Sequence, residues 1–214
     1  MSPDASHLLL LLNWMSPTFP IGSFAYSHGT EQAIMDGRLA DEAGVTQWIS
    51  DLLQHGSGWN DAVLFSLCWE TDPAGLNDMA LALCGSAERH LETTQLGRAF
   101  SIAASVWTGA ATRDTPIAYP IAAGTACRDF GLPREMALIA FLQGFAAALV
   151  SVAVRLVPLG QSHGLAALRN LSPVIAAVAE CARHAGPDAL GSATLLSDIA
   201  AMRHEQLQPR IFRT

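Results

Sequence analysis

Lysine is absent from all 214 residues. That omission removes the P-loop lysine, Schiff-base chemistry and Ser-x-x-Lys catalysis together. Any nucleotide hydrolysis tied to this protein's work therefore falls to another chain. The positive charge that remains is twelve arginines, scattered from Arg38 to Arg213, against nineteen acids, for a net charge of −7. Nucleic acid needs a basic stripe and an anionic membrane surface needs basic clusters, and the sequence has neither. Cysteine is sparse. Cys68, Cys84, Cys127 and Cys181 lie far apart in apolar segments with no Cys-x-x-Cys pair, so they read as small core hydrophobes in a reducing compartment. Sustained period-two alternation and Asn-Gly hairpin signals are missing too, which argues against a sheet.

What is present is apolar and helical. Half of the residues are hydrophobic and 14% are charged, ample material for one large core in a single domain spanning residues 1–214. Val45, Trp48, Ile49, Leu52 and Leu53 fall at helical spacing behind Asp41 as N-cap. His55 to Trp59 breaks that helix, Asp61 to Glu70 carries the next, and Asp72-Pro73 supplies an N-cap and N1 pair for a third. Its buried stripe is expected at Leu76, Met79, Ala80, Leu83 and Cys84. Ala87 to Trp107 reads as a longer helix, Thr115-Pro116 as another capped start, and Leu132-Pro133 as the opening of a long apolar helix ended by Val157-Pro158. A short helix after Gly164, a second from Ser172-Pro173 and a last from Gly191 to Gln206 complete the chain. The fold class is all-α, about eight to ten helices around a central apolar helix. Met136 to Val154 is long enough to cross a bilayer, but the helical pattern around it favours a buried central helix. The N-terminal leucine run lacks a basic n-region and a cleavage site, so it does not read as a secretory signal and the chain reads as cytosolic. Residues 1–16 and 207–214 are expected to be flexible without a partner.

The stretch from Pro17 to Glu31 stands apart. Its prolines forbid a helix before about Ile21, Gly22 opens unusual backbone angles, and Ser23 stands where an N-cap would, predicting a short helix to Gly37. Tyr26, His28 and Glu31 then occupy a rigidly specified helix start, which suits a site or an interface. His28 and Glu31 share a face, but two ligands make no metal site, and no His-x-x-x-His or Glu-x-x-His pattern occurs. Ser23, Ser27 and His28 lie close in sequence without a Gly-x-Ser-x-Gly elbow. A helical enzyme with a small-molecule pocket near Tyr26, His28 and Glu31 stays as the alternative to a docking surface. Arg155, ending the most apolar helix, must reach solvent or be paired. The C-terminal tail concentrates arginine and phenylalanine, both suited to interface anchors.

Three stretches together resemble the UreF family of urease accessory proteins, nickel-enzyme maturation factors: Pro20-Ile-Gly-Ser-Phe-Ala-Tyr-Ser-His-Gly-Thr-Glu31 followed by Gly37, Arg155-Leu-Val-Pro-Leu-Gly-Gln161, and Arg203-His-Glu205 with Arg210-Ile-Phe212. The resemblance implies an all-α, non-enzymatic homodimer without a cofactor or a stable metal site. It also implies binding to UreD (also called UreH) and recruitment of the GTPase UreG, in an assembly that delivers nickel to apo-urease. In such proteins the N-terminal segment and the tail contact UreD. By motif position, the implied partner contacts are Tyr26, His28, Glu31, Arg203, His204, Glu205, Arg210 and Phe212.

Overall fold

The computed structural model describes residues 3–109 and 115–214, and every described element is helical. In chain order these are α1 (Pro3–Trp14), a one-turn 3₁₀ segment (Ser23–Ala25), α2 (Thr30–Met35), α3 (Glu42–His55), α4 (Ser57–Leu67), α5 (Pro73–Ala82), α6 (Ala87–Thr108), α7 (Tyr119–Asp129), α8 (Arg134–Leu156), α9 (Gln161–His184), a second 3₁₀ turn (Pro187–Ala189) and α10 (Leu195–His204).

The long apolar helix α8 is the axis of the bundle. It packs against α1, α2, α3, α4, α7 and α9, and Leu138, Leu142, Ala146, Leu149 and Ala153 along it are wholly buried. By length and composition α8 and α9 could each cross a membrane, and half of the apolar window of α8 is buried inside the bundle. Local capping follows the sequence. Asp41 accepts from Gly44 N–H, Asp72 from Ala74 N–H and Ser86 from Arg89 N–H, each satisfying an amide that the first turn leaves free. At the C-terminal end of α1, Trp14 is fully buried edge-on against Phe100, Trp107 and Phe130. Helix α1 is anchored to the bundle by Leu11 and Trp14; Met1 and Ser2 lie outside the described residues.

Several boundaries differ from expectation, each for a local reason. The helix predicted from Ser23 to Gly37 is split. Gly22, His28 and Gly29 all adopt positive φ and Tyr26 is extended, so a 3₁₀ turn and α2 replace one helix, and Ser23 makes no side-chain cap. The break after α3 is confined to Gly56. In α5 only Leu76 and Ala80 of the expected stripe are buried, while Met79 and Leu83 face outward. Helix α7 begins at Tyr119, because Asn77 grips the extended backbone on both sides: it accepts from Ala118 N–H and donates to the Pro116 carbonyl. Thr93 then accepts from Tyr119 N–H. Pro173 sits inside one continuous α9. It and Arg169, whose carbonyl loses its N–H donor, are both exposed, where proline's missing donor costs least. Cys68 and Cys127 are core residues as expected, but Cys181 is exposed.

Candidate partner-binding surface

All eight residues singled out from the motifs converge on one region, where α2, α6 and α10 meet and the tail after α10 folds back over the 22–31 segment. Glu31 is its hub. Its buried carboxylate accepts from the backbone N–H of Ile211 and of Phe212, each at 2.8 Å, and lies 2.9 Å from His204 Nε2. The other nitrogen of the wholly buried His204, Nδ1, lies 2.8 Å from Glu88 on α6. A doubly protonated ring is the form that donates to both carboxylates. Arg210 donates to the same Glu88. Further along, Arg213 N–H donates to the Ala25 carbonyl, and Ser27 and His28 N–H both donate to the Thr214 hydroxyl. The Ser27 hydroxyl donates to the main-chain oxygen of Thr214. Residues 211–214 make these backbone and side-chain bonds to the 25–31 segment, with Phe212 and Thr214 buried.

Gly29 makes this closure geometrically possible. Its φ is +75°, and a Cβ there would stand 2.7 Å from Ala201 N and 3.0 Å from Ser197 O on α10. The remaining motif residues brace the rim. Arg203 donates to Asp36 at 2.7 Å, and Glu205 accepts from Ala87 N–H in the first turn of α6, where a negative charge suits the helix dipole. Arg155, from the end of α8, places its guanidinium over the Phe212 ring, 5.9 Å from the centroid. The first motif, Arg155 of the second and the tail, more than a hundred residues apart in sequence at their extremes, thus meet in one region.

Beneath it lies a second ionic cluster that sequence reasoning missed. His28 Nε2 is 2.7 Å from Glu92, Arg89 is 2.8 Å from Glu92, and Asp61 on α4 is 3.6 Å from Arg89. Burial pushes the Asp61 carboxyl up, against the pull of Arg89 and His28. Burial also opposes ionisation of Glu92, but the Arg89 guanidinium and the His28 ring outweigh it and hold that carboxyl down at about 2. Burial likewise opposes the Arg89 charge, and Glu92 and Asp61 overcome it, raising its pKa. No sequence signal marked it: on α6 Leu91 points to solvent while its neighbour Glu92 is buried, the reverse of what the residue types predict. A pattern that keeps an acid and expels a leucine marks a designed interior charge.

A cavity of about 460 Å³ opens beside this cluster, lined by Tyr26, His28, Asp61, Glu92, Tyr119 and Arg155 among others. Glu31 is not part of it. The nearest approach to a hydrolase is Ser57 Oγ, 3.4 Å from His28 Nδ1. However, His28 is committed to Glu92, whose charge Arg89 shares; Ser23 lines the same cavity without a hydrogen bond to His28 among the described residues, and Ser27 spends its hydroxyl on the tail. Among the described residues no group of three His, Cys, Asp or Glu side chains is arranged to hold a metal ion.

A family model described as UreF matches residues 39–172. A "Urease accessory protein UreF" of Cereibacter sphaeroides is 47% identical over 208 residues, covering 97% of this chain and 98% of the relative. One of Methylorubrum populi is 44% identical over 220 residues (96% and 98%), and a "Urease accessory protein UreF 1" of Brucella canis is 43% identical over 214 (97% and 94%). The family model stops short of the 20–31 stretch and the tail. The full-length relatives extend the match over most of the chain.

Proposed function

The chain belongs to the UreF family of urease accessory proteins, and from that premise we propose that it acts in urease maturation as a non-enzymatic scaffold. In this reading it binds UreD (UreH) and recruits the GTPase UreG, governing when GTP is hydrolysed as nickel is delivered to apo-urease in the cytoplasm. It works as a homodimer, nickel being the cargo of the assembly. The observation that carries the proposal is the meeting of the 20–31 segment, Arg155 and the tail on one surface, where Arg203, Glu205, Arg210 and Phe24 remain exposed around a tightly bonded core. Rigid polar and aromatic groups held by so many bonds suit a preorganised docking face, since little entropy is then lost on binding.

The enzyme reading would need a small-molecule site at Tyr26, His28 and Glu31. The cavity reaches the first two, but Glu31 is consumed by the tail and His28 by Glu92, so we do not adopt it. The test is co-purification of the full chain with tagged UreD and with UreG, followed by activation of apo-urease with nickel. Co-elution and a requirement for this chain in activation are expected. Equal maturation with and without it would overturn the proposal.

A further inference from the structure

In a chain of net charge −7, arginines without a carboxylate partner are informative. Seven of the described arginines sit on an acid: Arg38 and Arg203 on Asp36, Arg89 on Glu92, Arg128 on Asp129, Arg134 on Glu70, Arg183 on Glu180 and Arg210 on Glu88. Arg155, Arg169 and Arg213 show no acid partner among the described residues; Arg169 bonds Asn170, Arg155 lines the mouth of the 460 Å³ cavity, and Arg213 reaches the cavity-lining Tyr26 through Gln95. Arg155 lines the mouth directly and lies over the Phe212 ring, an arrangement that holds the guanidinium plane while leaving its hydrogen-bonding fork free. Arg213 donates to Gln95 Oε1 at 3.3 Å, the oxygen that also accepts from Tyr26 at 2.6 Å, and Tyr26 lines the cavity.

The cavity behind them is mainly apolar. Ile21, Leu96, Phe141, Phe145 and Ala148 line it, and Phe24 at its edge is 59% exposed. Tyr119 lines it as well. The small residues Gly144, Ala147, Ala148 and Ser151 along α8 leave the space into which a side chain fits.

We propose that this mouth docks an acidic segment of a protein partner, whose carboxylates pair with Arg155 and Arg213 while an adjacent apolar side chain enters the cavity. Charge complementarity selects the partner: the chain's surplus is negative, and this rim is where unpaired positive charge gathers beside an apolar hollow. Bidentate pairing to the two guanidiniums fixes register, and the buried apolar anchor supplies the desolvated centre that a contact of this kind needs. Phe212 has a double role, since the docked tail positions one of the two arginines. The inference deepens the scaffold reading and rests on it only in naming which partners to try.

The experiment has two arms. In the first, the full chain is titrated with an acetylated, amidated Glu-Asp-Phe-Asp-Glu peptide up to millimolar concentration. In the second, it is assayed for binding to UreD and to UreG. The expected result is binding that weakens with salt and falls at least about tenfold in R155E/R213E, with partial recovery in R155K/R213K. Filling the cavity by Ala148→Phe should produce a comparable loss, as should replacing the peptide's Phe by Ser. Circular dichroism checks that each variant is folded; both arginines are exposed, so their replacement leaves the core intact. Equal peptide binding by wild type and R155E/R213E, or no peptide binding at all, overturns the inference. If wild type binds UreD or UreG and the double variant binds them equally well, the inference fails and the scaffold reading stands. If wild type binds neither while the peptide arm behaves as expected, the scaffold reading fails and the acidic-segment site stands.

Discussion

Single residues decide whether the tail can close, and two glycines separate the causes. Gly29 and Gly37 both adopt positive φ, at +75° and +74°, but a Cβ on Gly29 meets the α10 backbone whereas one on Gly37 meets nothing within 4 Å. Gly37→Ala should therefore cost only the left-handed backbone penalty of about 1–2 kcal/mol. Gly29→Ala adds overpacking against α10, for a total of about 2–5 kcal/mol in urea unfolding. Equal losses would show that the close approach to α10 is not what fixes Gly29. Glu31 is the other decisive residue. Glu31→Ala leaves the Ile211 and Phe212 amides and one nitrogen of His204 without their acceptor in a buried site, a loss of about 3–5 kcal/mol. Hydrogen exchange at those two amides should become fast, and unchanged protection would remove Glu31 from its place as hub. At this scale the sequence was informative where geometry was unusual. Pro17 to Glu31 announced itself through prolines and glycines, and the tail through its arginines and phenylalanine. Glu88, Arg89 and Glu92 escaped notice because charges on a helix usually face water, and only the exposure of Leu91 reveals that this stripe turns inward.

At the scale of elements, α6 holds the arrangement together, since its first turns carry Glu88 for the tail and Arg89 and Glu92 for the interior. The pairing of Glu92 with Arg89 and His28 has a pH signature. Its carboxyl falls from an ordinary 4.5 to about 2 in the folded chain, so its contribution is fully present above pH 4.5 and is lost as the pH falls toward 2. Asp61 has the opposite sign: burial raises its pKa, so its protonation in acid relieves the folded state. Glu92→Gln should lower stability at neutral pH by about 3 kcal/mol and flatten the fall in stability between the two values. An acid-unfolding profile as steep as wild type would rule out Glu92 as the titrating group. Elements with clear caps were legible in advance, as with α3 and α5 behind Asp41 and Asp72. Boundaries went astray where tertiary contacts overruled local rules. Asn77 holds the chain extended before α7, solvent excuses Pro173 within α9, and the tail's bonds to residues 25–28 open what local propensity would wind into one helix.

On the scale of the whole molecule, the tail is the last piece of the fold and joins surfaces contributed by both ends of the chain. Deleting residues 210–214 removes no helix, since α10 ends at His204, so ellipticity at 222 nm should be unchanged. Stability should nevertheless fall. Phe212 is almost fully buried, and exposing its pocket forfeits about 2 kcal/mol, while leaving the Glu31 carboxylate short of two donors adds about 1–3 kcal/mol. A lower unfolding midpoint with native helicity is the expected pattern. The same deletion takes away Arg213 and the Phe212 ring beneath Arg155, so it dismantles the rim as well as the strap, and binding to UreD should be lost. Supplying the segment from Pro209 to Thr214 as a free peptide separates these effects. If the tail acts by completing a surface on its own chain, the peptide should re-dock through Glu31 and Ser27 and restore part of both the midpoint and the binding. If the truncated protein binds UreD with unchanged affinity, the tail is a stabilising strap alone and the docking surface must lie elsewhere on the bundle.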